Sequence, residues 1–261
     1  MWAAPWGDGS YLLRGTRRAL LASGRQVGAA AFNPLSLSPA LWLKADAGTF
    51  QTSGGSAATA DGDPVGEWQD QSGNANHASQ GTAGMRPTLQ TAEQNGLALV
   101  QWDGVDDLLL TASMAHFPSK RGVLVVAYKA SGAATHAIAS TYPGGANPLE
   151  LMFRSAAGPQ KWYDGATVHN QASSDTNDTF VVQAVRRTAD TTTKFYENGS
   201  LDSTWTVANT QPGNSVMGLG GNTDGSEDCA LFLGELVYIP NDLPDADFDE
   251  LIAYVMTRYG L

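Results

Sequence analysis

Leu97–Leu110 reads LALVQWDGVDDLLL, and this stretch decides the fold class. Leu97, Leu99 and Trp102 form an alternating apolar run that stops at Asp103-Gly104. Asp103, Asp106 and Asp107 crowd the break, and the chain then turns apolar again. Alternation at a period of two is the signature of a half-buried strand. Asp-Gly supplies the positive dihedrals of a tight turn, so the expected unit is strand, turn, strand.

The same grammar runs outward in both directions. Short apolar runs alternate with loops rich in Gly, Ser, Thr, Asn and Asp, and Gly alone accounts for 29 of 261 residues. Many short strands joined by turns point to an all-β sandwich of one domain. Gly122–Lys129, GVLVVAYK, is apolar almost throughout and is expected as a central strand covered on both faces. Asn198-Gly199, between two β-rich runs, reads as a hairpin turn rather than a glycan acceptor. Trp42, Trp68 and Trp102 sit inside strand patterns and are expected in the core. The helical pattern comes at the end. Phe248, Leu251, Ile252, Val255 and Tyr259 share one face, Asp247 and Glu250 read as a capping box, and Gly260 is the stop.

Charge divides the chain. Residues 1–38 hold four arginines against Asp8, a net of +3, so residues 39–261 carry −14 of the overall −11. An acidic globule excludes nucleic acid as the expected partner. Cys229 is the single cysteine, so no intrachain disulfide can form. No run reaches the length of a membrane helix, and Ala19–Ala22 is too short for the apolar region of a signal peptide. Residues 1–38 read as an N-terminal extended arm. Trp2, Trp6, Tyr11, Arg14, Arg17 and Arg18 are its candidate anchors to another protein, because exposed indoles are costly in water.

Three further words accompany Leu97–Leu110: DPVGEWQDQSGNAN at 63–76, FYENGSL at 195–201, and GELVYIPNDLPDADFDELIAYVMTRYGL at 234–261. In that order and spacing, residues 39–261 resemble the concanavalin A-like, laminin-G-like jelly-roll domains of bacterial surface proteins and phage structural proteins. The resemblance implies a two-sheet antiparallel jelly-roll sandwich with a C-terminal helix packed beside it. It also implies a multi-copy virion structural protein, assembled in the host cytoplasm and anchored to other virion proteins by its arm. The outward jelly roll would contact host-surface glycans. The alternative is a carbohydrate-binding module of an extracellular or cell-surface bacterial protein, and the third reading is a polysaccharide hydrolase or lyase.

Retaining hydrolysis needs two carboxylates about 5 Å apart, and no strand carries acids at i, i+2 and i+4. Asp245, Asp247 and Asp249 have that spacing but fall at the helix start, and Glu235 stands alone. His77, His116, His136 and His169 are scattered. The expectation is therefore a chain that is not an enzyme and needs no cofactor. Calcium is the one candidate ion, on Asp103, Asp106 and Asp107, with Asn222, Asp224, Glu227 and Asp228 as a second acidic loop. For glycan stacking the candidates are Trp162, Tyr163, Trp205 and Tyr142. Trp162 and Tyr163 are adjacent on a short strand, so alternation points one of them outward.

Overall fold

A computed structural model describes residues 32–116, 121–131, 136–141, 151–154, 161–163, 167–172, 178–189, 191–206 and 213–261. At 131, 136, 151–154, 161–163, 189 and 213 only the backbone is described. The arm anchors Trp2, Trp6, Tyr11, Arg14, Arg17 and Arg18 lie outside these residues, as does Tyr142.

In chain order the first strands are β1 (Leu41–Lys44), β2 (Thr49–Phe50), β3 (Glu67–Trp68), β4 (Ala78–Ser79), β5 (Thr88–Gln94) and β6 (Leu97–Asp103). Then come β7 (Leu109–Thr111), β8 (Met114–His116), β9 (Gly122–Ser131), β10 (His136–Ser140), β11 (Leu151–Arg154), β12 (Lys161–Tyr163) and β13 (Val168–Asn170). The last are β14 (Val181–Ala189), β15 (Thr192–Glu197), β16 (Ser200–Thr206), β17 (Gly213–Ser215), β18 (Gly218–Leu219) and β19 (Ala230–Ile239), followed by α1 (Asp245–Tyr259). One sheet runs β16-β15-β14-β9-β19-β6-β5, with β1 paired to β19, and the facing sheet runs β13-β12-β11-β10-β18-β7-β4-β3-β2. All the strand pairings are antiparallel. The architecture is an all-β antiparallel sandwich with one C-terminal helix.

Strand β9 shows why the fold has three layers. Leu124, Val126 and Tyr128 enter the core between the sheets, while Val123 and Val125 enter a second core beneath α1. β9 is therefore covered on both faces, as its unbroken apolar run requires. Trp68 and Trp102 fill the inter-sheet core, 6.3 Å apart between ring centres, and Trp42 joins the core under the helix. Phe32 also rests there, 5.7 Å from the Tyr254 ring, so the chain joins this body before residue 39.

The helix is held at both ends. At its start Arg186 of β14 donates from Nε to Asp242 and from Nη1 to Asp245, each at 2.9 Å, and lies over the Phe248 ring. The expected capping box at Asp247 is corrected. The helix begins at Asp245 behind Pro244, with no side-chain cap, and Asp247 falls in its first turn, where an acid suits the helix dipole. At its close Gly260 takes a left-handed φ of 75° and its N–H returns to Met256 and Thr257.

One turn differs from the sequence reading. Asp103-Gly104 does not close a hairpin. β6 lies in one sheet and β7 in the other, so this turn carries the chain across the sandwich. The Asp103 and Asp107 carboxylates shape it by accepting local backbone N–H groups. The hairpin instead sits one strand earlier, between β5 and β6 at Asn95-Gly96, where both residues have positive φ. Asn198-Gly199 joins β15 to β16 as expected, and Asn198 Oδ1 accepts from the Val182 N–H at 2.9 Å.

Candidate functional site

Three places on the sandwich collect chemistry-bearing side chains. The first is the crossover turn. Asp107, 7 % exposed, accepts from the Asp103 N–H at 2.9 Å, and Asp103 Oδ1 accepts from the Val105 N–H at 2.8 Å. One carboxylate oxygen each of Asp103, Asp106 and Asp107 lies within 4.8 Å of the others. Burial pushes the Asp107 carboxyl up to about 6, and the charges of Asp103, Asp106 and Asp228 add to the effect. The second acidic loop thus reaches the first through Asp228. Within that loop Asp224 Oδ1 accepts from Ser226 Oγ at 2.6 Å, and Asn222 Oδ1 ties the loop to β10 by accepting from Ser140 Oγ at 2.8 Å. A hard cation seeks this kind of oxygen set but needs six or more donors.

The second place is the β13/β16 edge. Trp205 on β16 is half-buried, its ring stacked on His169 of β13 at 5.3 Å and tilted against Phe195 at 5.7 Å. Gln171 donates to Glu197 at 2.6 Å, and the Ala172 N–H reaches Asp202 at 2.7 Å. These contacts stitch the two sheets together at this end. Trp205 thus uses much of its ring as packing. Trp162 pairs in register with His169, and Tyr163 with Val168. The side chains of Trp162 and Tyr163 lie outside the described residues.

The third place drew no attention from sequence. At the opposite end, the edge strands β2 and β5 stand apart around a groove of about 370 Å³. Ala45, Ala58 and Ala98 give it small apolar walls, Phe50 an aromatic one, and Asp46, Thr59 and Thr91 polar ones. The only sequence signal for this place is the Asn95-Gly96 pair, which marks β5 as a strand although Thr88–Gln94, TLQTAEQ, is too polar to read as one.

A buried ionic chain ends at this groove. Glu235 is 1 % exposed, and its Oε1 accepts from the Trp42 indole N–H at 2.6 Å. Its Oε2 lies 3.0 Å from Arg258 Nε, and Arg258 Nη2 lies 2.5 Å from Asp46 Oδ1. The Arg258 contacts are ion pairs by distance, set off-axis as hydrogen bonds. Burial raises the Glu235 carboxyl, opposed by the Trp42 N–H and by the charges of Arg258 and Lys44. Burial alone would lower the Arg258 guanidinium, yet Asp46 and Glu235 hold it above its ordinary value. Glu235 faces the helix because of a bulge at Gly234. The register of β19 against β9 slips between Leu233 and Glu235, so the residues on either side of the slip change face. Gly234 fits there because a Cβ would sit 2.6 Å from the Tyr259 ring.

No family model matches the chain, and no curated protein sequence does. Solved structures do. Trypanosoma rangeli sialidase with 2,3-difluorosialic acid, a covalent intermediate, is 14% identical with a TM-score of 0.59, over 89% of this chain and 35% of that one. The same enzyme with sialic acid is 13% identical with a TM-score of 0.58, over 88% and 34%. The binding domain of botulinum neurotoxin serotype D is 12% identical with a TM-score of 0.58, over 87% and 54%. The chain spans about a third of the sialidases and about half of the toxin domain. The coarse part of the resemblance, a β-sandwich, stands; none of these three is a phage protein. The expectation that the chain is not an enzyme is corrected. Its fold recurs inside sialidase chains, so missing carboxylate runs on strands do not exclude catalysis. Among the described residues no helix is long and apolar enough to cross a membrane.

Proposed function

We propose that this sandwich is a carbohydrate-binding module of an extracellular or cell-surface protein. The groove between β2 and β5 carries the reading. Its volume of about 370 Å³ falls in the roughly 300–1,000 Å³ range of small-molecule sites, which pair apolar walls with a few polar groups. The sialidases were solved with sialic acid derivatives and the toxin structure is a binding domain, which agrees with a glycan as ligand. Binding at one groove should be weak, in the millimolar range of about −4 kcal/mol, and multivalent display should raise it without new contacts. A glycan array probed with a multimerised form of the chain tests this. Retention of any defined glycan supports the module, and a blank array overturns it.

A second proposal keeps the particle-anchored reading, in which residues 1–38 dock the chain to other virion proteins. Its support is the basic, tryptophan-bearing composition of that segment. A chain lacking residues 1–38 that still joins its assembly would end it. Calcium at Asp103, Asp106 and Asp107 is likewise a proposal, supported by the closeness of the three carboxylates.

A further inference from the structure

Burying a charge is expensive, and removing one member of a buried pair strands the other. Glu235 nevertheless sits 1 % exposed under the helix. Its two oxygens engage Trp42 and Arg258, and Arg258 in turn engages Asp46. Among the described residues Asp46 is the one charged residue lining the groove, and 32 % of its side chain is exposed. Lys44, 4.0 Å away, contacts the same Oδ1 that Arg258 uses. The chain of contacts therefore starts in the protein interior and ends by holding one part-exposed carboxylate at the groove.

We infer that the groove takes a neutral sugar, with Asp46 accepting hydrogen bonds from adjacent sugar hydroxyls and Glu235 acting as a positioning residue through Arg258. The inference rests on the carbohydrate-binding reading above and names its ligand class. A carboxylate suits a pair of hydroxyl donors, because hydrogen bonds to an ionised acceptor are the stronger kind. The Thr59 and Thr91 hydroxyls add groups that both donate and accept. Phe50 and the alanines offer an apolar surface to the C–H face of a pyranose. A cationic partner suits the carboxylate of an acidic sugar, and among the described residues no Lys or Arg lines this groove. Sialosides are thereby disfavoured even though the similar sialidases take them.

Amide NMR of the full chain, titrated separately with lactose and with 3′-sialyllactose, tests this. The expected result is saturable lactose shifts at Ala47, Thr49, Ala58 and Thr91, with sialyllactose binding at least about tenfold more weakly, a difference of about 1.4 kcal/mol. Asp46→Asn should weaken lactose binding about tenfold or more. Glu235→Gln should weaken it less and leave the responding amides the same, which a lost fold would not do. Shifts confined to the β13/β16 edge or to the Asp103–Asp107 turn overturn the site while carbohydrate binding stands. Equal or tighter binding of sialyllactose at the groove overturns the neutral-sugar assignment. Failure of both sugars, with a blank glycan array, removes the carbohydrate reading itself.

Discussion

The two ends of this sandwich solve the same problem in opposite ways. At the β13/β16 end, the gap between sheets is shut by an aromatic stack, His169 on Trp205, and by side chains bonding from sheet to sheet. At the β2/β5 end threonines on these strands and alanines on β6 and the flanking segments line the gap, and it remains as a groove. Bulky rings suggest a binding platform when read from sequence, yet a ring at a sandwich edge has a strong hydrophobic reason to cover the core instead. Small residues suggest loops, yet they are what leaves the groove open. The difference teaches that the open groove here is marked by missing volume beside a buried charge, rather than by conspicuous side chains.

The largest effect should come from breaking the buried charge that backs the open end. Glu235→Ala leaves the Trp42 indole N–H and Arg258 without their interior acceptor. It should cost about 3 kcal/mol in chemical denaturation; a loss of less than about 1 kcal/mol would show that the ionic chain is incidental. The crossover turn joins the two sheets on which both ends depend, and Gly104→Val tests it. Gly104 has φ of 76°, and a Cβ there would meet the Ala230 nitrogen at 2.7 Å. A β-branched residue should cost about 2 kcal/mol, read as a lowered denaturation midpoint. A neutral outcome would mean the turn relaxes freely.

Next comes the closed end. Trp205→Ala removes the partner of both His169 and Phe195. It should cost about 2 kcal/mol, below the range for a fully buried ring because Trp205 is half-exposed, and it should speed amide exchange in β13 and β16 while leaving β2 and β5 unchanged. Faster exchange at both ends would erase the contrast drawn between them.

The smallest effect concerns the acidic turn. The Asp107 carboxyl lies at about 6 in the folded chain against an ordinary 3.8. The folded state therefore holds this proton more tightly than the unfolded one. Its contribution to stability is full below about pH 4 and is lost as pH rises through about 6. Asp107→Asn should remove this loss of stability between pH 4 and 7, relative to the parent chain. If a cation resides there, calcium should raise the melting temperature near pH 7, and Asp106→Asn should abolish the rise.

Much of the frame was legible in the residues alone. The apolar run at Gly122–Lys129 announced the central strand, and period 3.6 announced the helix face, because burial patterns repeat with the geometry of the element. The words quoted for the resemblance are largely structural. Asp70 of EWQDQSGNAN accepts from the Trp42, Ser72 and Asn76 N–H groups, and Asn76 Nδ2 donates to the Ala40 carbonyl, tying that loop to β1. The polar strand β5 escaped notice because it ends the sheet order, beyond it the 62–65 segment bonds to its backbone, and it carries little apolar signal. The arm residues and Tyr142, Trp162 and Tyr163 remain expectations from sequence.

The sequence by itself determined that this chain forms short antiparallel strands, buries Trp68 and Trp102, and ends in an amphipathic helix. Those properties follow from local pattern and composition. Only the tertiary structure decided that Asp103-Gly104 crosses between sheets, that Glu235 leaves the core face for the helix side, and that Asp46 meets Arg258 at a groove. In LFLGELVYI strict alternation would have sent Glu235 inward with Leu231 and Leu233. One extra residue at Gly234 reverses that, and room for it exists only because Tyr259 packs flush against a glycine without a side chain.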